Sequence, residues 1–496
     1  MANRLCMLIT ALSLALSIQA QAAPAPAAKA SAEPQLDQAD FLKGYDFFRD
    51  EQYQDACPYF YKYISSYTPD VEDYEWAEFF LGVSLRKLGY SHASADILAR
   101  LVARKPNPKI VEYSLEIFED ISRTQAFDSE MIIAQTVCDQ DFGYAEGNLK
   151  DFINYYQGVY DWEHGFIEWG DEHFMKIRPE TYYAYKYLHR KALLGIYRNN
   201  TDEAIDLLKQ ILSAKKCTDE KLKDEARKIL ARLLYEQGRF KDSDLLYDTI
   251  EENILSQSQN LLERAWAHYR MGHPEKAMGL LYAFEAPSFK SRMTPEYYML
   301  KSFIYKDVCH YQSALNVVDE FKRHYGQALS GIYQRGKVSD NSELLLLLLH
   351  RKNVKEVWDF LQVLEKERAR CAEFKPRKKD APDEFYQYLD RLYGFQIAES
   401  TAVLKSRIES EYERYADSLL QYEEEAHLMA YEVGLDMYQR VNQYHFKEEQ
   451  KTDEKAGPSM VVYPFQGEFW NDELADLKVV LPNKCKNHEE WDIFFK

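Results

Sequence analysis

Six side chains that could bind a metal ion lie within a short stretch about a third of the way along the chain: Glu163, His164, Glu168, Asp171, Glu172 and His173. On a helix, Glu168 and Glu172 would share one face with His164 one turn earlier, and zinc accepts such ligands. The His-Glu-x-x-His order of zinc hydrolases is absent, and glutamate and histidine are common on solvated helix faces. A metal-dependent or cell-wall hydrolase with its site near His164 is therefore an alternative function. The preferred interpretation is a protein that is not an enzyme, with no catalytic residue and no cofactor.

The stretch from Gly331 to Lys337 nearly spells a phosphate-binding loop. Val338 stands where a magnesium-binding Ser or Thr must follow the lysine, and a helical pattern precedes the stretch where a strand is required. Nucleotide chemistry is therefore not expected.

The 496-residue chain carries a net charge of −19. Because an acidic surface repels phosphate backbones, nucleic acid is a poor partner.

The cysteines are too far apart in sequence to form the Cys-x-x-Cys motifs of redox and zinc sites. Those that follow residue 22 are Cys57, Cys138, Cys217, Cys309, Cys371 and Cys485. In an oxidising compartment they permit several disulfide pairings. The competing interpretation is that they are buried thiols, notably at Cys57 and Cys309.

The N-terminal residues predict export. Arg4 precedes an apolar stretch over residues 5–18, and Ala20-Gln21-Ala22 offers a small-x-small cleavage site. Residues 1–22 are therefore interpreted as a signal peptide and residues 23–37 as a disordered leader. No run approaches the roughly 20 apolar residues of a transmembrane span. We expect an exported, periplasmic protein, with the cell surface or secretion as alternatives.

A repeated pattern runs through the first two-thirds of the chain. In each copy a small residue on one helix stands seven positions before a turn, and a second helix follows with a small residue and then a bulky one. The turns at Gly238, Gly272 and Cys309 show it most clearly. The small residues of the first helices are Gly44, Gly82, Gly158, Ala192, Ala231, Ala265 and Ser302. Because one of their spacings is twice the usual length, a further eroded copy is predicted at residues 110–145.

This pattern resembles the tetratricopeptide repeat. The resemblance implies helical hairpins that stack into a right-handed superhelix with a concave groove, in about eight copies over residues 38–326. Small residues let the two helices approach closely, and glycine permits the left-handed turn between them. Gly (19) and Pro (16) are scarce while Tyr (38) is abundant, which favours aromatic-rich helices over a β fold.

Two further regions lie outside the repeat. Residues 327–450 predict a long, coiled-coil-like helical hairpin, because apolar residues from Leu404 to Val433 step by four and three along one stripe. We expect this hairpin to project as an arm that the repeats do not need for folding. Residues 451–496 predict a linker and a small β-type module with strands at 460–463 and 477–481, tied by Cys485.

The resemblance also implies which side chains line the groove, since the inner surface is built mostly from the first helix of each hairpin. The aromatic residues at those positions are Tyr45, Phe48, Phe79, Trp162, Tyr235, Trp266, Tyr269 and Phe303. For each ring, packing between neighbouring hairpins is the competing interpretation. The charged clamp for peptide ends that this family uses is not supported, because Phe41 and Tyr45 stand at its positions.

We therefore predict a scaffold of the bacterial cell envelope that binds a protein or peptide partner in an aromatic groove. Trp266 and Tyr269 are the expected anchors, because exposed rings are favoured contact points for partners. A glycan-binding protein that uses the same rings is a further alternative.

Overall fold

The computed structural model describes residues 38–250, 254–285, 294–338, 342–349, 351–374, 384–443 and 478–485. Within these residues the chain is helical and contains no strand. The α-helices are α1 Ala39–Arg49, α2 Tyr53–Ser66, α3 Tyr74–Lys87, α4 Ser91–Ala103, α5 Pro108–Thr124, α6 Gly147–Glu163, α7 Ile167–Met175, α8 Tyr182–Tyr197, α9 Thr201–Ser213, α10 Glu220–Glu236, α11 Phe240–Asp248, α12 Ile254–Arg270, α13 Pro274–Ala283, α14 Pro295–Asp307, α15 Tyr311–Tyr333, α16 Ser342–Leu349, α17 Lys352–Arg370 and α18 Glu384–Gln443. A π-helix, Glu130–Val137, follows α5, and a 3₁₀ helix, Cys371–Phe374, follows α17.

Most of these helices pack in sequential pairs that form hairpins: α1–α2, α3–α4, α6–α7, α8–α9, α10–α11, α12–α13 and α14–α15. The two helices of each hairpin are joined by the same tight turn. After Tyr235, for example, Gly238 takes a left-handed φ of 77° and the N–H of Arg239 bonds to the carbonyl of Leu234 at 2.8 Å. This is the Schellman motif, which satisfies carbonyls that the end of a helix leaves free. The left-handed residues of the turns are Glu51, Gly89, Gly165, Asn199, Gly238, Gly272 and Cys309.

Each left-handed residue stands seven positions after one of the small residues of the sequence pattern, and all of those small residues are buried. The close approach that they permit is visible at Gly82, where an added Cβ would lie 2.6 Å from the Leu98 side chain. At Gly158 the same Cβ would lie 2.9 Å from the ring of Phe174. The predicted stack of tetratricopeptide-like hairpins is therefore confirmed.

The pattern breaks between α4 and α6. α5 begins after Asn107, whose side chain accepts a hydrogen bond from the N–H of Lys109, and it ends without a left-handed turn. The π-helix packs against α4 and α6 and buries Ile132 and Val137. The eroded copy predicted at residues 110–145 falls on these two helices, which do not pair as the others do.

The hairpin of α17 and α18 packs on both ends of the stack, in contrast to the free arm that the sequence suggested. Near its turn, Phe385 and Leu389 share a buried core with α2, α3 and α4. Farther along α18, Leu419, Met429 and Val433 share a second core with α14 and α15. α18 has 60 residues and α17 has 19, so most of the apolar stripe of α18 has no cover within the hairpin. The stack supplies that cover, because exposed apolar surface is costly in water.

A buried carboxylate holds the hairpin against α4. The side chain of Glu367 is 4% exposed and accepts hydrogen bonds from the N–H groups of Ser91 at 3.0 Å and His92 at 3.1 Å. The hydroxyl of Tyr393 on α18 donates a third hydrogen bond at 2.6 Å. Glu367 thus satisfies two of the N–H groups that the first turn of α4 leaves free.

Residues 478–485 lie on the last two hairpins and are tied there by a disulfide between Cys485 and Cys309. The N–H of Val479 donates to the carbonyl of Glu275 at 3.2 Å, and the N–H of Lys484 donates to that of Val308 at 3.0 Å. The predicted attachment through Cys485 is present, but the strand predicted at 477–481 is not, since residues 478–485 have no regular secondary structure. The other predicted strand lies outside the described residues. The described cysteines Cys57, Cys138, Cys217 and Cys371 are free thiols.

None of the helices in the described parts of the chain is long and apolar enough to cross a membrane. The signal peptide and leader predicted for residues 1–37 lie outside the described residues.

Candidate partner-binding groove

A cavity of about 430 Å³ lies between α10 and α12, and α11 and α14 complete its walls. Its lining is formed by Arg232, Tyr235 and Glu236 of α10, Ser243 and Tyr247 of α11, Gln259, Glu263 and Trp266 of α12, and Glu296 of α14. We call these residues the groove pocket. Tyr235 and Trp266 are two of the predicted groove rings, so the structure brings them to one cavity. Its volume lies in the range of roughly 300–1,000 Å³ that is typical of ligand sites.

Glu263 organises one side of the groove pocket. Its carboxylate accepts hydrogen bonds from the guanidinium of Arg232 at 2.7 Å and 3.0 Å, from Gln259 at 2.9 Å, and from the hydroxyl of Tyr247. Burial raises the pKa of Glu263, but these hydrogen bonds outweigh it and hold that pKa below its ordinary value. Glu263 is therefore ionised at neutral pH, and its charge is paired with Arg232 inside the protein.

Glu296 of α14 also lines the groove pocket and has different surroundings. Burial raises the pKa of Glu296. The indole N–H of Trp266, as a hydrogen-bond donor, and the positive charge of Arg232 lower it, while the charges of Glu263 and of Glu425 on α18 raise it further. Within the described ranges, no Lys, Arg or His nitrogen lies at ion-pair distance from the Glu296 carboxylate. The groove pocket thus contains one carboxylate that is neutralised and one that is not.

Three of the predicted rings form a cluster that begins in the groove pocket with Trp266 and extends to Tyr269 and Phe303. The ring centroid of Trp266 lies 5.9 Å from that of Tyr269 and 6.3 Å from that of Phe303. All three side chains are half-buried against the core of the last two hairpins. The hydroxyl of Tyr269 donates to Asp307 at 2.6 Å, which fixes the ring across to α14. The exposed part of each ring remains available to a partner.

The predicted rings of the first two hairpins form a separate cluster. Phe80 is at its centre, with ring centroids 4.8 Å from Phe48, 5.4 Å from Tyr45 and 5.7 Å from Phe79. Phe79 is 8% exposed and Tyr45 is 41% exposed. Here the rings mainly pack on one another, and this cluster takes no part in the groove pocket.

Trp162 packs inside its own hairpin. Its ring centroid lies 4.7 Å from that of Phe174, and an added Cβ on Gly170 would lie 2.4 Å from the indole. The indole N–H donates to Asp171 at 3.2 Å. The structure therefore places Trp162 between α6 and α7, away from the other predicted groove rings.

The carboxylates and histidines at 163–173 are not gathered around a common point. His164 packs against Tyr160 with ring centroids 4.0 Å apart, while the adjacent Glu163 pairs with Arg190. In the part of the chain that the structure describes, no three His, Cys, Asp or Glu side chains are grouped so that they could hold a metal ion.

The carboxylates of the groove pocket were missed by sequence reasoning. Glu263 and Glu296 look like ordinary surface charges in a chain with 81 acidic residues. One local signal existed, since Glu263 lies three positions before Trp266 and therefore on the same helix face. The position of Glu296, on the next hairpin, has no comparable signal.

No protein-family model and no curated protein matches the chain. Among solved structures, it is similar to a tetratricopeptide repeat protein from Parabacteroides merdae, with 15% identity and a TM-score of 0.23 over 58% of this chain and 92% of that one. It is also similar to a Rap protein complexed with Competence and Sporulation Factor, with 13% identity and a TM-score of 0.27 over 74% and 98% of the two chains. Because both TM-scores are low, we base the tetratricopeptide-like fold on the hairpins themselves.

Proposed function

We propose that this protein is a non-enzymatic binding scaffold that holds a peptide or a segment of a partner protein. The segment would lie in the groove formed by the last three hairpins of the stack, α10–α11, α12–α13 and α14–α15. The observation that carries the proposal is the groove pocket. It joins three successive hairpins, so a bound segment would contact several repeats at once. Trp266 in this pocket and the adjoining Tyr269 and Phe303 offer half-buried rings of the kind that dominate protein interfaces.

The place of action that we propose is the bacterial cell envelope. The N-terminal sequence supports it, because a charged residue, an apolar stretch and a small-x-small site have the order of a signal peptide. The Cys309–Cys485 disulfide is also in keeping with an oxidising compartment, since disulfides persist there.

Site-specific photo-crosslinking in the native envelope tests the binding face. A photoreactive phenylalanine replaces Tyr235 in the groove pocket, and in a second variant it replaces Leu245 of the same hairpin, which is 56% exposed on α11. We expect a discrete protein adduct from position 235 that is absent from position 245. The adduct should also be lost when Trp266→Ala is added.

Equal adducts from both positions would mean that the groove has no special role. An adduct at 235 that persists unchanged in Trp266→Ala would contradict the assignment of Trp266 as an anchor. N-terminal sequencing of the purified native protein tests export separately, because a mature chain that retains Arg4 is incompatible with it.

A further inference from the structure

The groove pocket carries negative charge that the chain does not neutralise. Glu236 and Glu296 line it, and Glu425 of α18 is close enough to affect the pKa of Glu296. None of these three carboxylates has an ion-pair partner among the described residues. The one cation of the lining, Arg232, is held by Glu263.

The walls of the pocket are suited to a cation with an apolar stem. Trp266, Tyr235 and Tyr247 line the cavity, and aromatic faces attract ammonium and guanidinium groups. Ser243, which also lines the cavity, is 0% exposed, and its hydroxyl has no hydrogen-bond partner within the described parts of the chain. A buried hydroxyl without a partner is costly, and a donor group of a ligand would remove that cost.

From these observations we infer that the groove pocket receives the positively charged side chain of a peptide, an arginine or a lysine. Glu296 would pair with the charge, Trp266 would cover the stem, and Glu236 and Glu425 would add to the attraction. The inference rests on the proposed function and names the chemistry of its partner. It is the opposite of a clamp for carboxylate groups, which would need free Lys or Arg side chains in the groove.

The net charge of the chain, −19, acts in the same direction. A field of one sign over the surface raises the encounter rate with an oppositely charged segment and makes it depend on salt. Within the pocket, the partial burial of Glu296 makes its interaction with a cation stronger than a surface ion pair.

The test uses the full chain and two fluorescent hexapeptides that differ at one position. One contains arginine and the other citrulline, which has almost the same shape and no charge; all other residues are Ala or Ser and both ends are blocked. Fluorescence anisotropy measures affinity for the wild type, for Glu296→Gln and for Trp266→Ala. Glu116→Gln, an exposed carboxylate on α5, is the matched control.

We expect the wild type and Glu116→Gln to bind the arginine peptide at least tenfold more tightly than the citrulline peptide, about 1.4 kcal/mol. Glu296→Gln should remove this preference, and Trp266→Ala should weaken the binding of both peptides. If Glu296→Gln does not fold by circular dichroism, the double variant Glu236→Gln, Glu425→Gln should reduce the preference instead.

Equal affinities for the two peptides, an arginine preference that survives Glu296→Gln, or no binding up to about 1 mM would overturn the inference. These outcomes leave the groove crosslink from position 235 unaffected, so the scaffold function would stand without the charged anchor. A clear arginine preference without any groove crosslink would mean that the pocket binds a cationic side chain but that the proposed scaffold function fails.

Discussion

Glu78 in the second hairpin and Glu296 in the last one are both carboxylates of a first helix that are largely withdrawn from water, and burial raises the pKa of both. Glu78 has its cation within the chain, because the guanidinium of Arg104 forms an ion pair with it. Glu296 has none in the described part of the molecule. A buried charge is costly unless it is paired, so the first arrangement is complete and the second leaves a carboxylate that no cation of the described residues pairs with.

The aromatic residues of these two regions differ in the same way. In the first two hairpins, the space between the first helices is filled by Phe80, which contacts the rings of Tyr45 and Phe48. Beside Glu296, a cavity that Trp266 lines remains between the helices. Tyr45 and Trp266 each stand one position after the small residue of their first helix, yet Tyr45 packs on a ring while Trp266 lines a cavity.

The largest effect that we expect is on the stability of the filled region. Phe80→Ala removes a ring that touches several others and should lower the free energy of unfolding by about 2–3 kcal/mol. Urea unfolding measures this, with Leu42→Ala, a residue that is 55% exposed, as a control that should change little. The crosslink from position 235 should keep its yield per folded molecule. A loss of that crosslink would show that the first cluster also takes part in binding.

The next largest effect is on binding. Trp266→Ala should reduce capture of the partner at least tenfold, about 1.4 kcal/mol, because a ring that anchors a partner is lost. The melting temperature should move by less than about 2 °C, because the ring is only half-buried. If instead the variant melts at a much lower temperature and its folded fraction binds normally, Trp266 belongs to the core as Phe80 does.

A third variant would leave Glu78 without an ion-pair partner, as Glu296 is in the described part of the chain. Arg104→Met removes the cation and should lower the free energy of unfolding at neutral pH by about 1 kcal/mol, a value reduced because the Arg104 side chain is 37% exposed. Without Arg104 the pKa of Glu78 should rise further, so part of the stability should return as the pH falls and the carboxylate binds a proton. A loss that does not depend on pH would assign the effect to packing of the Arg104 stem.

The smallest effect has the opposite sign. Because the pKa of Glu296 is raised in the folded state, the folded protein binds a proton more readily than the unfolded chain does. The contribution of Glu296 to stability therefore increases as the pH falls through its raised pKa, and its ionised form is unfavourable above that pH. Glu296→Gln should then be slightly more stable than the wild type at about pH 7.5, by less than about 1 kcal/mol, and equal to it at about pH 4. Urea unfolding at both pH values gives the comparison, and a variant that is less stable at about pH 7.5 would mean that an internal cation compensates Glu296.

Much of the repeat could be predicted from the sequence because it depends on short spacings. Gly238 and Ala231 are seven positions apart, and both the left-handed turn and the close helix contact are local requirements. The irregular α5 and π-helix were predicted only as an eroded copy, since a segment without the small residue and the left-handed turn carries no such spacing.

The candidate site was predictable only in part. The position of Trp266 on the first helix of a hairpin follows from the repeat, and so does its aromatic neighbour Tyr269. Trp162 stands four positions after the small residue Gly158, as Tyr269 does after Ala265. Trp162 nevertheless packs on Gly170 within its own hairpin, whereas Tyr269 reaches Asp307 of the next hairpin, so the residues that face this position make the difference.

By itself, the sequence determined the helical hairpins, their register and the rings available on their first helices, because these depend on residues within a few turns of one another. Only the tertiary structure decided that α18 packs on both ends of the stack, that Cys485 pairs with Cys309, and that Glu296 faces Trp266 without a cation. Each of these features joins segments of the chain that are from about 30 to more than 300 positions apart. Contacts over such separations depend on how all the buried surfaces of the molecule pack together, so a local sequence pattern cannot specify them.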